Sequence, residues 1–162
     1  MNESRITLGI AVFATLLSIA TLFTALFADL PVTSGKAKEI ATEQAPSAIG
    51  PYSQAIKKNG FLFVAGQIAI DPSEDEIMTS VKSQTEQVMK NIEAILEEAG
   101  LSMDNIVKST VMMTNIGDYS TINDVYESHF SSEKPYPARS AFEVQALPNE
   151  DAKVEIEVIA AY

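Results

Sequence analysis

The strongest periodic pattern of apolar and polar residues lies between Ser80 and Ala99. Apolar side chains recur there at helical spacing, along one side: Val81, Val88, Ile92, Ile95, Leu96 and Ala99. Gly100 follows as a good helix-ending residue, because glycine readily adopts the left-handed conformation of a C-terminal cap. The pattern predicts an amphipathic helix that packs its apolar side against the core.

A second, shorter helix is predicted from Asp118, as its N-cap, to about Phe130. The inward side chains of this helix would be Ile122, Val125, Tyr126 and Phe130. His129 falls in the last turn, where the helix dipole favours a cation, and we interpret it as structural.

Alternation and turn residues predict the strands. In the segment 153–160, Val154, Ile156 and Val158 share one face, and Glu155 and Glu157 share the other. The segment 106–113 is rich in β-branched residues, which we interpret as a strand buried on both faces. Asn59-Gly60 predicts a tight hairpin turn, followed by a strand over 61–68.

This order of elements predicts an α+β fold with two helices on one face of a mixed sheet. We expect the other face to present Arg139, Glu155 and Glu157. Such a face is too polar for a core, and its intervening positions are too apolar for open solvent. We therefore predict an oligomer, with the polar residues in a cleft between subunits.

The amino-terminal part is different. Residues 6–28 form an uncharged, largely apolar run long enough to cross a bilayer as a helix. We interpret 1–28 as an uncleaved signal anchor. A cleaved signal peptide is the alternative, although Leu26 is unfavourable at the −3 position of a cut after Ala28, and a soluble extension is a third interpretation.

The charges beside this run favour the amino end inside and the remainder outside. This predicts a membrane-anchored or exported protein, held at the membrane through residues 6–28 and facing the periplasm. Residues 29–39 are predicted to be a polar linker, and residues 40–162 the globular domain.

Composition argues against several classes of function. The chain has 162 residues and a formal net charge of −11, whereas a nucleic-acid-binding surface is usually basic. It contains no cysteine and one histidine, which argues against disulfides, thiolate chemistry and a structural zinc site. We predict no metal and no nucleic-acid partner.

The residue types around Arg139 indicate candidate chemistry. Pro135 and Pro137 hold the backbone extended just before Arg139, one of two arginines in the chain. A guanidinium offers a fork of donors that matches a carboxylate, although a surface ion pair is the simpler interpretation. One arginine and one or two carboxylates on neighbouring strands could bind a small anion and move a proton. Gly66 would permit either close approach of another group or a β-bulge.

Several short stretches together resemble one known family. They are Ile40-Ala41-Thr42, the segment Ala48 to Ala55 (AIGPYSQA), Val64 to Ile68 (VAGQI), Ile106 to Val111 (IVKSTV), Asn123 followed by Tyr126, Pro137 to Ser140 (PARS) and Val154 to Glu157 (VEIE). Each stretch is weak alone, but their order and spacing over residues 40–160 resemble the RidA/YjgF family of reactive intermediate imine deaminases.

The resemblance implies a chorismate-mutase-like fold assembled as a homotrimer, with three clefts at subunit interfaces. It implies hydrolysis of 2-imino and enamine acids, such as 2-iminopropanoate and 2-iminobutanoate, to 2-oxo acids and ammonia, without a cofactor. Arg139 would bind the substrate carboxylate and Glu155 would hold the hydrolytic water, with Glu157 as the alternative proton carrier.

The resemblance also implies a cleft lining and two departures from the family pattern. The lining positions match Tyr52, Ala65, Gly66, Tyr119 and Asn123. Ala65 stands where the family often has serine, and Ala141 where it often has cysteine, so the substrate range is open.

Two other functions remain open at this point. A trimer that binds small carboxylates without chemistry would need Arg139 alone. A divergent paralogue acting on another imine or carbonyl compound outside the cytoplasm would account for the apolar run 6–28. A nuclease or translation-inhibitor role, also attached to the family, is disfavoured by the acidic charge and the lack of a histidine pair.

Overall fold

The computed structural model describes residues 35–162. The strands are β1 Lys38–Ile40, β2 Ala55–Lys58, β3 Phe61–Gln67, β4 Ile70–Asp71, β5 Glu76–Ile77, β6 Ile106–Met113, β7 Ala138–Glu143 and β8 Val154–Ala161. Six of them form one sheet in the order β1-β2-β3-β8-β6-β7, and β4 pairs with β5 in a separate hairpin. The pair β6 and β7 is parallel, and the other pairs of the large sheet are antiparallel. The predicted mixed sheet is confirmed.

Two helices cover one face of this sheet. They are α1 Val81–Glu98 and α2 Tyr119–Ser128. The apolar stripe of α1 lies in the core with the inward residues of β8, as the alternation predicted: Val154, Ile156 and Val158 are buried, whereas Glu155 is half-buried and Glu157 exposed. The two-helix, one-face arrangement is therefore confirmed. We name the uncovered side of the sheet the open face.

The helix ends differ in how they are capped. Ser80 caps α1, and its side chain accepts a hydrogen bond from the Ser83 amide. Asp118 occupies the N-cap position of α2 but makes no side-chain capping bond, because it belongs to a 3₁₀ turn, Ile116–Asp118, and has helical backbone angles. Asn115 caps that turn instead by accepting from the Gly117 amide. The second helix and its N-cap position at Asp118 are thus as predicted, but the side chain of Asp118 does not make the expected capping bond.

The prediction that the strand at residues 106–113 is buried on both faces is wrong. Ser109, Val111 and Met113 are buried under the helices, whereas Lys108 and Met112 on the open face are half-buried. The reason is that the helices lie on one side of β6 only. A run of β-branched residues does not distinguish a strand covered on two sides from one covered on one side.

The β2–β3 hairpin turns at Asn59-Gly60, as predicted. Both residues have positive φ angles, 52° and 81°, which is the backbone of the tight hairpin turn that Asn-Gly favours. The carboxyl end of the chain is tied to this turn, since the Tyr162 amide donates to the Gly60 carbonyl.

The predicted membrane segment, residues 6–28, and most of the predicted linker lie outside the described residues. Within residues 35–162, neither helix combines the length and apolar character needed to cross a bilayer. The first described strand, β1, begins at Lys38.

Candidate active site

Arg139 lies on the helix-covered side of β7. It is the register partner of Ser109 on the parallel neighbour β6, and register partners on adjacent strands share a face. Ser109 is buried beneath α2, so Arg139 also points toward α2. The extended segment around Pro135 and Pro137 leads into β7, so Arg139 is the second residue of that strand.

Three side chains of α2 surround the guanidinium. Nη2 of Arg139 donates to Asn123 Oδ1 at 2.7 Å and to the Tyr119 hydroxyl at 3.3 Å. The guanidinium carbon lies 4.8 Å from the centre of the Tyr126 ring, within the range of a cation–π contact. We name Tyr119, Asn123, Tyr126 and Arg139 the arginine cluster.

Electrostatics distinguish the two tyrosines of the arginine cluster. The Asn123 amide and the Arg139 guanidinium hold the pKa of Tyr119 below its usual range. Burial has the opposite effect on Tyr126, whose pKa is raised because the ionised phenolate would be poorly solvated. Tyr126 therefore remains a neutral phenol.

The arginine cluster opens into a cleft of about 490 Å³. Besides the cluster, its walls are Glu127, Tyr136, Pro137 and Ala141. The hydroxyl of Tyr136 donates to Glu127 Oε1 at 3.1 Å, which ties the proline segment to α2. The cleft thus presents one cation, the Arg139 guanidinium, to a small acid.

Glu155 lies on the opposite side of the sheet. It pairs with Met112 of β6 on the open face, and its carboxylate passes over the backbone of Gly66. A Cβ added to Gly66 would overlap Oε1 of Glu155, so a side chain at this position would displace the carboxylate from where it lies. The strand register also shifts between Val64 and Gln67, so Gly66 lies within a bulge and also permits a close approach.

The carboxylate of Glu155 sits in a small pocket of about 270 Å³ with mostly apolar walls. The other lining residues are Ile49, Tyr52, Ala65, Gly66, Ile68 and Pro148. Burial raises the pKa of Glu155, and the nearby Glu157 carboxylate raises it further. We name Tyr52, Ala65, Gly66 and Glu155 the glutamate cluster.

The structure corrects one prediction about the site. We expected Arg139 to share a face with Glu155 and Glu157, but only the two glutamates lie on the open face. The predicted residues form two groups within a protomer. Tyr119 and Asn123 of α2 lie with Arg139 on the covered side, and Tyr52, Ala65, Gly66 and Glu155 lie on the other side. Arg139 lies on the covered face and not on the open face because it is the register partner of Ser109, which is on the covered face.

Sequence reasoning missed two buried polar residues that support these clusters. Ser109 bonds Tyr126 across the core, with 2.7 Å between their hydroxyl oxygens. Gln54 holds the loop that leads to Tyr52, donating from Nε2 to the Ala45 and Pro46 carbonyls and accepting from the Thr42 amide. A polar residue inside an apolar strand pattern was the available signal for Ser109.

Metal ligands are not grouped in the part of the chain that the structure describes. Residues 35–162 bring no three histidine, aspartate or glutamate side chains close enough together to hold an ion. The arginine cluster presents a guanidinium, a group that can bind a carboxylate, and the glutamate cluster presents a half-buried carboxyl group, which can exchange a proton.

Comparison with known proteins identifies the family. A family model described as Endoribonuclease L-PSP matches residues 42–162, which include both clusters. A RutC family protein of Pyrococcus abyssi is 52% identical over 126 residues, covering 76% of this chain and 97% of the relative. A Salmonella typhimurium protein named 2-iminobutanoate/2-iminopropanoate deaminase is 44% identical over 124 residues, covering 76% of this chain and 96% of the relative. The chain belongs to the RidA/YjgF family.

The fold of the RidA/YjgF family is also seen in the solved structures. E. coli TdcF, crystallised with bound serine, superposes with a TM-score of 0.71 at 41% identity, covering 77% of this chain and 98% of that chain. The matched part of this chain corresponds to nearly the full length of each of these three relatives.

Proposed function

We propose that this protein is a hydrolytic deaminase of 2-imino and enamine acids, including 2-iminopropanoate and 2-iminobutanoate, that works without a cofactor. The observation that carries the proposal is the pair of clusters: one arginine able to bind a carboxylate, and one glutamate with a raised pKa in an apolar pocket. Its support from comparison is the Salmonella relative named as a deaminase of these two imines.

Arg139 would bind the carboxylate of the substrate. Among residues 35–162 the guanidinium makes its hydrogen bonds through Nη2, which leaves the N–H groups of Nη1 and Nε as donors for the substrate carboxylate. The same interaction holds C2 of the imine in a fixed position, and such orientation lowers the entropy cost of attack by water.

Glu155 would act on that water. Its carboxylate accepts a proton as the water oxygen bonds to C2, and that proton passes to the imine nitrogen, which gives a tetrahedral carbon bearing a hydroxyl and an amine. The carboxylate then takes the hydroxyl proton as the C2–O double bond forms, and it gives this proton to the nitrogen as the C2–N bond breaks. The products are a 2-oxo acid and ammonia. A raised pKa suits both steps, because a carboxyl group whose pKa is nearer the working pH can accept and donate with similar ease.

The two clusters would complete one site only between protomers. Arg139 and Glu155 lie on opposite faces of the sheet, and an imino acid of three or four carbons cannot reach through the sheet to contact both. We therefore place the site where the arginine cluster of one protomer meets the glutamate cluster of the next, in a homotrimer with three such clefts.

The open face supports this assembly. Three phenylalanines on it are exposed in the isolated protomer: Phe61, Phe63 and Phe142. Ile159 of β8 lies on the same face, since it is the register partner of Phe63. An apolar sheet face of this kind favours burial against another copy of the chain.

The test is ammonia release from 2-iminopropanoate and 2-iminobutanoate generated in solution, using the full chain and subtracting the uncatalysed rate. We expect Arg139→Ala to raise KM strongly and Arg139→Lys to recover only part of the affinity, because an ammonium cannot reproduce the planar fork. Glu155→Gln should lower kcat by about 100-fold or more, in the range of general acid–base catalysis. Full activity in Glu155→Gln together with lost activity in Glu157→Gln would assign the proton transfer to Glu157.

A carboxylate-binding protein without chemistry is the second candidate. It is favoured by one observation: the arginine cleft is complete within a single protomer and does not need Glu155. In that case 2-oxobutanoate would bind to the wild type and not to Arg139→Ala, while neither imine would be hydrolysed faster than in buffer.

The location of the domain is a separate proposal. Residues 6–28 predict attachment to a membrane, with residues 40–162 on the periplasmic side. Protease would be added to cells in which only the outer membrane has been opened, and to fully lysed cells. A periplasmic domain should be cleaved in both, whereas a domain enclosed by the inner membrane should be cleaved only after full lysis.

A further inference from the structure

We propose that Ser109 and Tyr126 form a buried positioning pair that fixes the Arg139 guanidinium and thereby sets how tightly the site binds the substrate carboxylate. This inference rests on the proposed function of Arg139 as the carboxylate-binding residue. It assigns no contact with substrate to either partner.

The sheet register places Ser109 beside Arg139. The two residues are direct partners on the parallel strands β6 and β7 and point to the same side. Ser109 is completely buried, at 0% exposure, in a strand whose other covered positions are apolar. A buried hydroxyl is tolerated only when it has a hydrogen-bond partner, so its role depends on what it bonds.

That partner is Tyr126. Its hydroxyl lies 2.7 Å from Ser109 Oγ, and the residue is 4% exposed. Its pKa is raised by burial, so the hydroxyl remains protonated and the pair is a neutral hydrogen bond. The ring also packs against Phe130, with 4.8 Å between ring centres. The ring is thus held by packing at its face and by a hydrogen bond at its tip.

The ring in turn supports the guanidinium. Arg139 Cζ lies 4.8 Å from the centre of the Tyr126 ring and 5.8 Å from that of Tyr119. Tyr119 is 41% exposed, so its ring is free on one side, whereas Tyr126 is fixed in the core. The guanidinium therefore rests on one immobile surface, Tyr126, with Asn123 Oδ1 fixing its rotation in the plane.

This arrangement explains how Ser109, which does not line the cleft, would affect binding. An arginine side chain has many rotamers, and a carboxylate that binds it must first select the one that presents the fork. A fixed ring beneath the guanidinium makes that selection in advance. Loss of the Ser109 hydroxyl leaves the Tyr126 hydroxyl buried without its partner, so the ring shifts and the guanidinium loses its support.

The experiment measures KM, kcat and 2-oxobutanoate binding in four variants of the full chain. The variants are Ser109→Ala, Tyr126→Phe, the double variant with both changes, and Tyr126→Leu. Ser128→Ala and Tyr162→Phe serve as matched controls, because they delete a hydroxyl of the same type outside the two clusters: on the exposed end of α2, and at the carboxyl end of the chain.

Tyr126→Leu should raise KM and the dissociation constant of 2-oxobutanoate by about tenfold and leave kcat within about threefold of wild type. The reason is that a carboxylate contact that is weakened equally in the bound substrate and in the transition state changes KM and not kcat. Ser109→Ala and Tyr126→Phe should each raise KM by about threefold. The double variant should be no weaker than either single variant, because it leaves no unpartnered buried hydroxyl and the two effects are coupled. The controls should match wild type.

Unchanged KM in Tyr126→Leu, with Arg139→Ala impaired, would overturn the positioning role. So would additive effects of the two single changes, or a fall in kcat at unchanged KM. Failure of the proposed function is distinguishable, because then wild type would not accelerate imine hydrolysis. In that case 2-oxobutanoate binding still tests the pair: weaker binding in Tyr126→Leu supports the proposal, and unchanged binding refutes it.

Discussion

Gly66 lies directly beneath the carboxylate of Glu155, and the space that a Cβ would occupy is taken by Oε1 of that glutamate. The bulge in β3 and the alternation of β8 bring them together from two neighbouring strands. The position of the proposed proton carrier thus depends on the absence of a side chain on the adjacent strand.

Gly66→Ala should therefore displace Glu155 while leaving most of the core intact. We expect kcat to fall by about 100-fold, in the range of lost general acid–base help, with little change in KM because Arg139 is untouched. Steady-state kinetics and circular dichroism of the same preparation check this. Full activity in a folded Gly66→Ala protein would mean that Glu155 does not act from the observed position.

The pH dependence should report the environment of Glu155. Its ionised form is the base, and burial together with Glu157 raises its pKa, so kcat/KM should fall as pH falls through that raised value. This acid limb should lie at higher pH than an unperturbed glutamate would give.

Glu157→Gln is the variant that isolates one cause of the pKa shift. It removes the neighbouring negative charge and should move the acid limb to lower pH, leaving the maximal rate similar. A pH–rate profile corrected for the uncatalysed rate makes the comparison. An acid limb that stays in place would show that the two carboxylates are not coupled.

Glu155→Gln should increase stability while lowering activity. The pKa of Glu155 is raised in the folded state, so the unfolded chain ionises this group more easily, which destabilises the fold as pH rises past the unfolded-state pKa. At pH 7 the variant should unfold at higher denaturant concentration than wild type. The difference between the two midpoints should vanish below about pH 4, where Glu155 is protonated in both the folded and the unfolded chain. Equal midpoints at pH 7, with protein concentration held fixed, would contradict this.

Phe63→Glu should disturb assembly without touching either cluster. Phe63 is 45% exposed on the open face and pairs with the apolar Ile159. A buried, unpaired carboxylate at an interface is strongly unfavourable, so we expect sedimentation velocity to show smaller species and the deaminase rate to fall with them. A monomeric variant with full activity would show that one protomer holds a complete site.

Much of the fold could be predicted from periodicity. The stripe of α1 contains a residue such as Ile92 or Leu96 at every turn, and β8 alternates between Ile156 in the core and Glu155 on the open face. Both patterns have a strong contrast between the two sides, which defines the element type and also which side is buried.

The face of Arg139 could not be predicted in the same way. Arg139 and Glu143 share one side of β7 and Phe142 lies on the other, so the alternation marks the side of Arg139 as the polar one, although α2 lies on that side. The side is decided by parallel pairing with β6, a contact between residues 30 positions apart in sequence, as between Ser109 and Arg139. The separation of the two clusters follows from that pairing and was therefore missed.

The central claim is that Arg139 of one protomer and Glu155 of another form one site, and subunit mixing tests it most directly. Arg139→Ala and Glu155→Gln, each strongly impaired alone, would be co-expressed in equal amounts. Random assembly should restore about a quarter of wild-type activity, because one in four pairings at an interface joins an intact Arg139 to an intact Glu155. Mixing either variant with the double variant should restore none. If the two single variants also restore none when they assemble together, the site does not combine these residues across an interface, and the account is wrong.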